Sequence, residues 1–176
     1  MRNFLLVVLV SWWSLTGCGD SAPDAPAEDG DDAAFATELM YRDAALLNLL
    51  DVALGRELSP AVADAGEQLR IDTSERMTTA AELLGEWGEK VPVTSRDHGA
   101  EHSSDNDTSE LEGMPTGRDL QRLGKLDGQA FEAAYVDLLT STLEATRDFA
   151  AAHDGPDADE LADAAVASGT QALDAL

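Results

Sequence analysis

The sequence predicts an all-α protein, a four-helix bundle built from two repeated helical hairpins. Apolar residues recur at three- and four-residue steps in four long segments, as they do on amphipathic helices. The second half repeats the first with an offset of 96 residues, so that Phe35 corresponds to Phe131 and Pro60 to Pro156. No segment alternates as a half-buried strand does. One hairpin alone leaves an apolar face, and two hairpins bury these faces against each other.

The N-terminus has the layout of a secretory signal over residues 1–17, in which Arg2 precedes the apolar segment Phe4–Leu15. The motif Leu15-Thr16-Gly17-Cys18 resembles a bacterial lipobox, in which cleavage before the cysteine allows its modification with diacylglycerol and palmitate. The 12 residues of the apolar segment fall short of the about 20 that span a membrane. We therefore expect an exported, extracytoplasmic protein whose only cysteine, Cys18, carries a lipid anchor in the cell membrane or outer membrane.

The formal net charge of −24 argues against two classes of partner. Nucleic acids and anionic lipid surfaces attract proteins through Lys and Arg, whereas this chain has 35 acidic and 11 basic residues. Membrane contact is therefore expected through the lipid on Cys18 alone. The acidity is consistent with adaptation to a saline habitat or with a codon bias toward Asp, Ala and Gly.

The mature chain is predicted to begin with an acidic flexible tether, residues 18–33, followed by the bundle domain, residues 34–176. The tether combines Pro, Gly and acidic residues with almost no side chain to bury, which is typical of a solvated segment. It would hold the bundle away from the lipid headgroups.

The first hairpin is predicted over residues 34–90. Its first helix ends near Gly55, and the second begins at Ser59-Pro60, because Ser favours the N-cap and Pro the first turn of a helix. Gly88 and Pro92 end the second helix. The apolar stripes of the two helices include Phe35, Leu39, Leu46, Leu49, Leu50, Ala53, Val62, Ala65, Leu69, Met77, Ala80, Leu84 and Trp87.

The connection between the hairpins is polar and aperiodic over residues 93–113, which predicts a loop. Residues 114–126 are predicted to hold a short helix with Thr116 as its cap. The second hairpin follows over residues 127–176 and breaks at Gly155-Pro156.

Four short pieces of the chain resemble a bacterial exported, ferritin-like family, domain of unknown function 305 (DUF305). They are the helix start at Phe35, the segment Trp87–Pro92, the segment Gly113–Pro115 and the segment Phe131–Tyr135. The resemblance implies a ferritin-like bundle over residues 35–176. It also implies His-His pairs in the first and third long helices, Gln and Glu in the second and fourth, and a suspected connection to copper.

The residues at those metal-ligand positions have changed in this chain. The positions read, in chain order, Arg42, Asp43, Ser74, Arg76, Thr142, Leu143, Thr170 and Ala172. Thr and Leu cannot replace imidazole as ligands of a soft metal, and two arginines place positive charge where a cation should bind. We therefore interpret the chain as a divergent relative that has lost the metal site and needs no cofactor.

The arginines at these positions need partners, because an unpaired buried charge is costly. The sequence offers Asp43, Asp137 or Glu144 for Arg42, and Glu38 or Glu75 for Arg76. One hypothesis is a charge-paired cluster that replaces the metal and sets the register of the helices. The other is that both side chains extend to solvent.

The predicted loop offers an alternative metal site. Two of the three histidines of the chain lie four residues apart within it. The candidate ligands for copper or zinc are Asp97, His98, Glu101, His102 and Met114. The competing interpretation is a solvated acidic loop that happens to contain histidine.

No catalytic motif is evident in the sequence. Ferritin-like di-iron sites use Glu-x-x-His, and no Glu here has a His three residues later. We therefore expect a non-catalytic, lipid-anchored envelope protein that acts as a binding or interaction module, with an envelope protein as its partner. The alternative function is weak copper or zinc handling by the loop histidines and acids.

Overall fold

The computed structural model describes residues 29–94 and 111–176, which form five α-helices. They are α1 (Asp29–Val52), α2 (Pro60–Glu86), α3 (Gly117–Leu123), α4 (Gly128–Ala151) and α5 (Asp159–Ala175). These two ranges contain no strand, and the predicted all-α helical bundle is confirmed.

The four long helices form a ring in which each contacts two neighbours, in the order α1, α2, α5, α4. Helices α1 and α4 run in opposite directions. Phe35, near the start of α1, stacks on Phe149 and His153 at the far end of α4. Arg56, just after α1, binds Asp127, just before α4. Neighbouring helices are therefore antiparallel around the whole ring.

A single long crossover connects the two hairpins. Because α2 and α4 run in the same direction, the chain must return along the length of the bundle before α4 begins. The described part of this return touches the middle of α1, where Arg42 binds the carbonyl of Glu112. The return ends with α3. Just after α3, the backbone carbonyls of Gly124 and Leu126 accept hydrogen bonds from the Arg56 side chain. Ferritin-like bundles share this kind of connection.

Local sequence explains where the helices begin and end. Pro60 occupies the first turn of α2 after Ser59, as predicted. Gly55 and Gly88 follow α1 and α2 with φ angles of 75°, a conformation that glycine adopts without strain. Thr116 caps α3 in a reciprocal capping box with Asp119, and its hydrogen bonds lower the pKa of that carboxyl.

Two apolar clusters fill the interior. The first cluster lies near the start of α1 and includes Phe35, Leu39, Leu84, Ala150 and Leu161. The second cluster lies near the end of α1 and includes Leu50, Leu69, Phe131, Tyr135 and Leu139. Full burial of such a side chain contributes about 1.5–3 kcal/mol. Met77 packs against both clusters.

The start of the bundle differs from the prediction. The sequence placed residues 18–33 in the tether, whereas α1 begins at Asp29. Asp32 is 0% exposed and Ala33 is 8% exposed, so both belong to the interior. The short helix is also shorter than predicted, Gly117–Leu123 instead of residues 114–126.

Within residues 29–94 and 111–176, no helix combines the length and the apolar character needed to cross a membrane. The predicted signal, Cys18 and most of the predicted loop lie outside these ranges.

The approach of the crossover to α4 yields a stability prediction. Gly113 has a φ of +80°, and a methyl group there would overlap the side chain of Ala145. We expect Gly113→Ala to lower the free energy of unfolding by at least about 2 kcal/mol, measured by urea denaturation. Gly85→Ala is the control, because a methyl at Gly85 meets nothing, and it should stabilise the chain. A neutral Gly113→Ala would contradict this close packing.

Candidate functional site

The positions that the resemblance aligns with metal ligands lie mostly inside the bundle. The buried ones are Arg42 and Asp43 on α1, Arg76 on α2, Thr142 and Leu143 on α4, and Ala172 on α5. Ser74 and Thr170 are exposed. Their hydroxyls donate to backbone carbonyls one turn earlier, so neither reaches the interior. The candidate site is therefore the layer around Asp43 and Arg76.

Arg76 and Asp43 form a buried two-point ion pair. Arg76 Nε donates to Asp43 Oδ2 at 2.9 Å, and Nη2 donates to Oδ1 at 2.6 Å. The side chains are 3% and 1% exposed. Arg76 Nη1 also donates to Ser168 Oγ at 2.8 Å. One guanidinium thus joins α1, α2 and α5. The sequence had offered Glu38 or Glu75 as the partner of Arg76, and both are wrong.

Each charge of this pair depends on the other. Burial raises the pKa of Asp43, while the charge and the hydrogen bonds of Arg76 act in the opposite direction. Both carboxylate oxygens accept a guanidinium N–H, so the ionised carboxylate has a partner of opposite charge at both atoms. Removing one partner would leave an uncompensated charge in the interior, which costs far more than losing an exposed pair.

Arg42 fixes the crossover to α1 instead of joining this pair. Its Nε and Nη2 donate to Glu38 Oε1 at 3.0 and 2.7 Å, and Nη1 donates to the Glu112 carbonyl at 3.2 Å. The guanidinium lies 4.4 Å from the centre of the Phe149 ring, a favourable cation–π geometry. The sequence had offered Asp43, Asp137 or Glu144 instead of Glu38 as its partner, and all three are wrong.

The remaining polar groups of the layer are threonines. Thr142 donates to the Leu138 carbonyl at 2.8 Å. Thr73 and Thr146 are buried, and within the described ranges their hydroxyls have no hydrogen-bond partner. A hydroxyl engaged with its own helix is a poor metal ligand, and the neighbouring Leu143 has no ligand atom.

This donor set does not fit a transition metal. Both oxygens of Asp43 bind Arg76, and the guanidinium would repel a cation. In residues 29–94 and 111–176, no three His, Cys, Asp or Glu side chains are grouped as a metal site requires. The residues present therefore support an ion pair at this position.

His153 and Asp32 form a second buried polar contact, at the end of the bundle. His153 Nε2 lies 2.7 Å from Asp32 Oδ1, and its ring stacks on Phe35 at 3.9 Å. Gly155 is required beside them, because a methyl there would overlap Asp32 and His153. Sequence reasoning missed Asp32 as a buried partner. The signal that could have identified Asp32 is helical spacing. Asp32 lies three residues before Phe35, which lies four before Leu39, so all three share one face of α1.

Of the five candidate ligands of the alternative loop site, only Met114 lies within the described residues. Asp97, His98, Glu101 and His102 lie outside the described residues, as does Cys18. Met114 is 7% exposed and directly follows Gly113, which packs against α4.

The buried pair yields a double-variant prediction. We expect Arg76→Met to lower the free energy of unfolding by about 3–5 kcal/mol, because Asp43 is left charged and buried. Combining Arg76→Met with Asp43→Leu should restore most of the loss, since an apolar pair needs no compensation. Urea denaturation of the wild type, both single variants and the double variant measures the coupling.

The matched control is Arg147→Ala. Arg147 pairs with Asp148 in an exposed contact, and exposed pairs contribute little. If Arg76→Met lowers the free energy of unfolding no more than Arg147→Ala does, Asp43 and Arg76 are not coupled.

Comparison with known proteins agrees with this fold. The family model described as Domain of unknown function (DUF305) matches residues 32–176. No curated protein shows significant similarity to the chain. The crystal structure of a DUF305 fragment from Deinococcus radiodurans superposes with a TM-score of 0.68 at 16% identity, covering 85% of this chain and 94% of that one. The family match spans most of the sequence, and this chain therefore belongs to the DUF305 family.

Proposed function

We propose that this chain is a non-catalytic, lipid-anchored protein of the cell envelope, an interaction module in which an ion pair has replaced the metal site of its relatives. The observation that carries the proposal is the two-point contact between Arg76 and Asp43. The guanidinium supplies, as part of the chain, the positive charge that a bound cation would bring.

The replacement is supported by the connections that Arg76 makes. A metal held between helices crosslinks them, and Arg76 on α2 crosslinks three of the four long helices by binding Asp43 on α1 and Ser168 on α5. Arg42 adds a contact to the crossover through the Glu112 carbonyl. The bundle therefore has its interior crosslinks without a cofactor.

The absence of catalysis is proposed from how the buried ionisable groups are used. A catalytic acid or base must be reachable by a substrate. Asp43 and Arg76 bind each other, and Asp32 and His153 do the same. We therefore expect the protein to act by binding another component of the envelope. The expected partner is an envelope protein.

Envelope localisation is proposed from the lipobox motif. Cys18 lies 11 residues before the first residue of α1. A lipid on that cysteine would hold the bundle beside a membrane without a spanning helix, although firm anchoring takes more than one acyl chain.

Metal titration tests the proposed loss of the metal site. We expect residues 19–176 to bind neither copper nor zinc stoichiometrically, and to melt at the same temperature with and without chelator. A bound metal would raise the melting temperature, because a ligand at 100 times its Kd stabilises by about 2.7 kcal/mol. Calorimetry and thermal melting provide the two measurements.

The His98→Ala/His102→Ala double variant is the control for the loop. Binding that this variant abolishes would move the function to copper or zinc handling by the loop. Binding that survives the double change would show that the bundle holds metal, and would contradict the proposal.

Lipidation is tested independently with Cys18→Ser in the native host. We expect the wild type to incorporate labelled palmitate and to sediment with membranes, and the variant to do neither, since no other cysteine is present. Unchanged membrane association of the unlabelled variant would contradict lipid anchoring.

A further inference from the structure

A cavity of about 160 Å³ opens where the loop after α1 meets the first turns of α2. Its lining includes Leu50, Leu54, Val62, Gly66, Arg70 and Tyr135. Its volume is close to the about 150 Å³ that holds one benzene molecule in an enclosed cavity, but this cavity opens to solvent. The cavity is separate from the layer around Asp43, since the two share no lining residue.

Tyr135 brings an unpartnered donor to this cavity. Its side chain is 1% exposed, and no described residue accepts a hydrogen bond from its hydroxyl. Burial raises the pKa of Tyr135 to about 12, with the charge of Arg70 acting in the opposite direction. The hydroxyl is therefore protonated at neutral pH. The hydroxyl oxygen keeps some accessible surface at the cavity wall, so an acceptor in the cavity could receive its hydrogen bond.

Gly66 keeps the cavity open in front of this hydroxyl. It lies inside α2, where alanine would favour the helix more than glycine does. A methyl group at Gly66 would lie 3.5 Å from Tyr135 Oη and 3.9 Å from Leu50 Cδ2, which are ordinary contacts. Packing therefore does not require glycine here. What glycine provides is free space beside the tyrosine hydroxyl.

The charges around the cavity favour an uncharged occupant. Arg70 is paired with Asp51 at 2.6 Å, and Arg56 is paired with Asp127 at 2.6 Å. Glu67, also in the lining, is exposed. Since each guanidinium already has a carboxylate, neither supplies a free positive charge for an anion. The leucine and valine side chains favour an apolar body.

We propose that this cavity binds a small uncharged molecule with an apolar body and one carbonyl oxygen, which accepts a hydrogen bond from Tyr135. The site is independent of the proposed loss of metal binding.

Cyclohexanone is the probe, because its ring matches the cavity and its single oxygen is an acceptor. The full chain in mild detergent is titrated and followed by amide NMR shifts. We expect saturable shifts at Gly66 and Arg70. Tyr135→Phe should weaken the affinity about threefold to tenfold, the value of one hydrogen bond. Methylenecyclohexane, which has the same shape and no acceptor, should bind the wild type and Tyr135→Phe equally.

Gly66→Ala tests the cavity without endangering the fold. We expect it to raise the melting temperature and to weaken cyclohexanone binding, because the methyl group narrows the space. Tyr41→Phe, outside the cavity lining, should change neither. Absence of saturable shifts would show that the cavity holds water only and would overturn the proposal. Affinity unchanged by both Tyr135→Phe and Gly66→Ala would overturn it as well.

Discussion

Asp43 and Arg76 meet between the two apolar clusters of the bundle, where their side chains are almost fully removed from water. Leaving water costs each of them several kcal/mol, and their two hydrogen bonds repay that cost only in one geometry. Sliding α1 along α2 by one turn would separate the pair. Since Arg76 also binds Ser168, the same constraint extends to α5. Because both hydrogen bonds would be lost in such a shift, we propose that this pair helps to set the register of three helices.

The other buried polar contacts add constraints at different levels of the bundle. Arg42 holds the crossover against α1 and α4, which positions the chain that leads into α3. Asp32 and His153 join the start of α1 to the segment after α4, and Gly155 allows their close approach. Each contact connects segments distant in sequence, so the fold is held by polar groups as well as by its apolar clusters.

Crosslinking of the helices and the proposed recognition of a small molecule lie in different parts of this bundle. Crosslinking of the helices is supplied by the side chains of the layer around Asp43. Recognition of a small molecule is assigned to a different place, the cavity in front of Tyr135, where an unpartnered hydroxyl and free space beside Gly66 coincide.

The sequence by itself determined the long helices, because helical periodicity and Gly or Pro at helix ends are local properties. It left open whether Arg42 and Arg76 are buried or extend to solvent. It did not identify their partners. Asp43 lies 33 residues from Arg76, and which carboxylate an arginine reaches depends on the register between helices. Asp32 was missed because acidic composition masked its place on the stripe. The cavity at Tyr135 exists only where α1, α2 and α4 meet, so only the tertiary structure decided it.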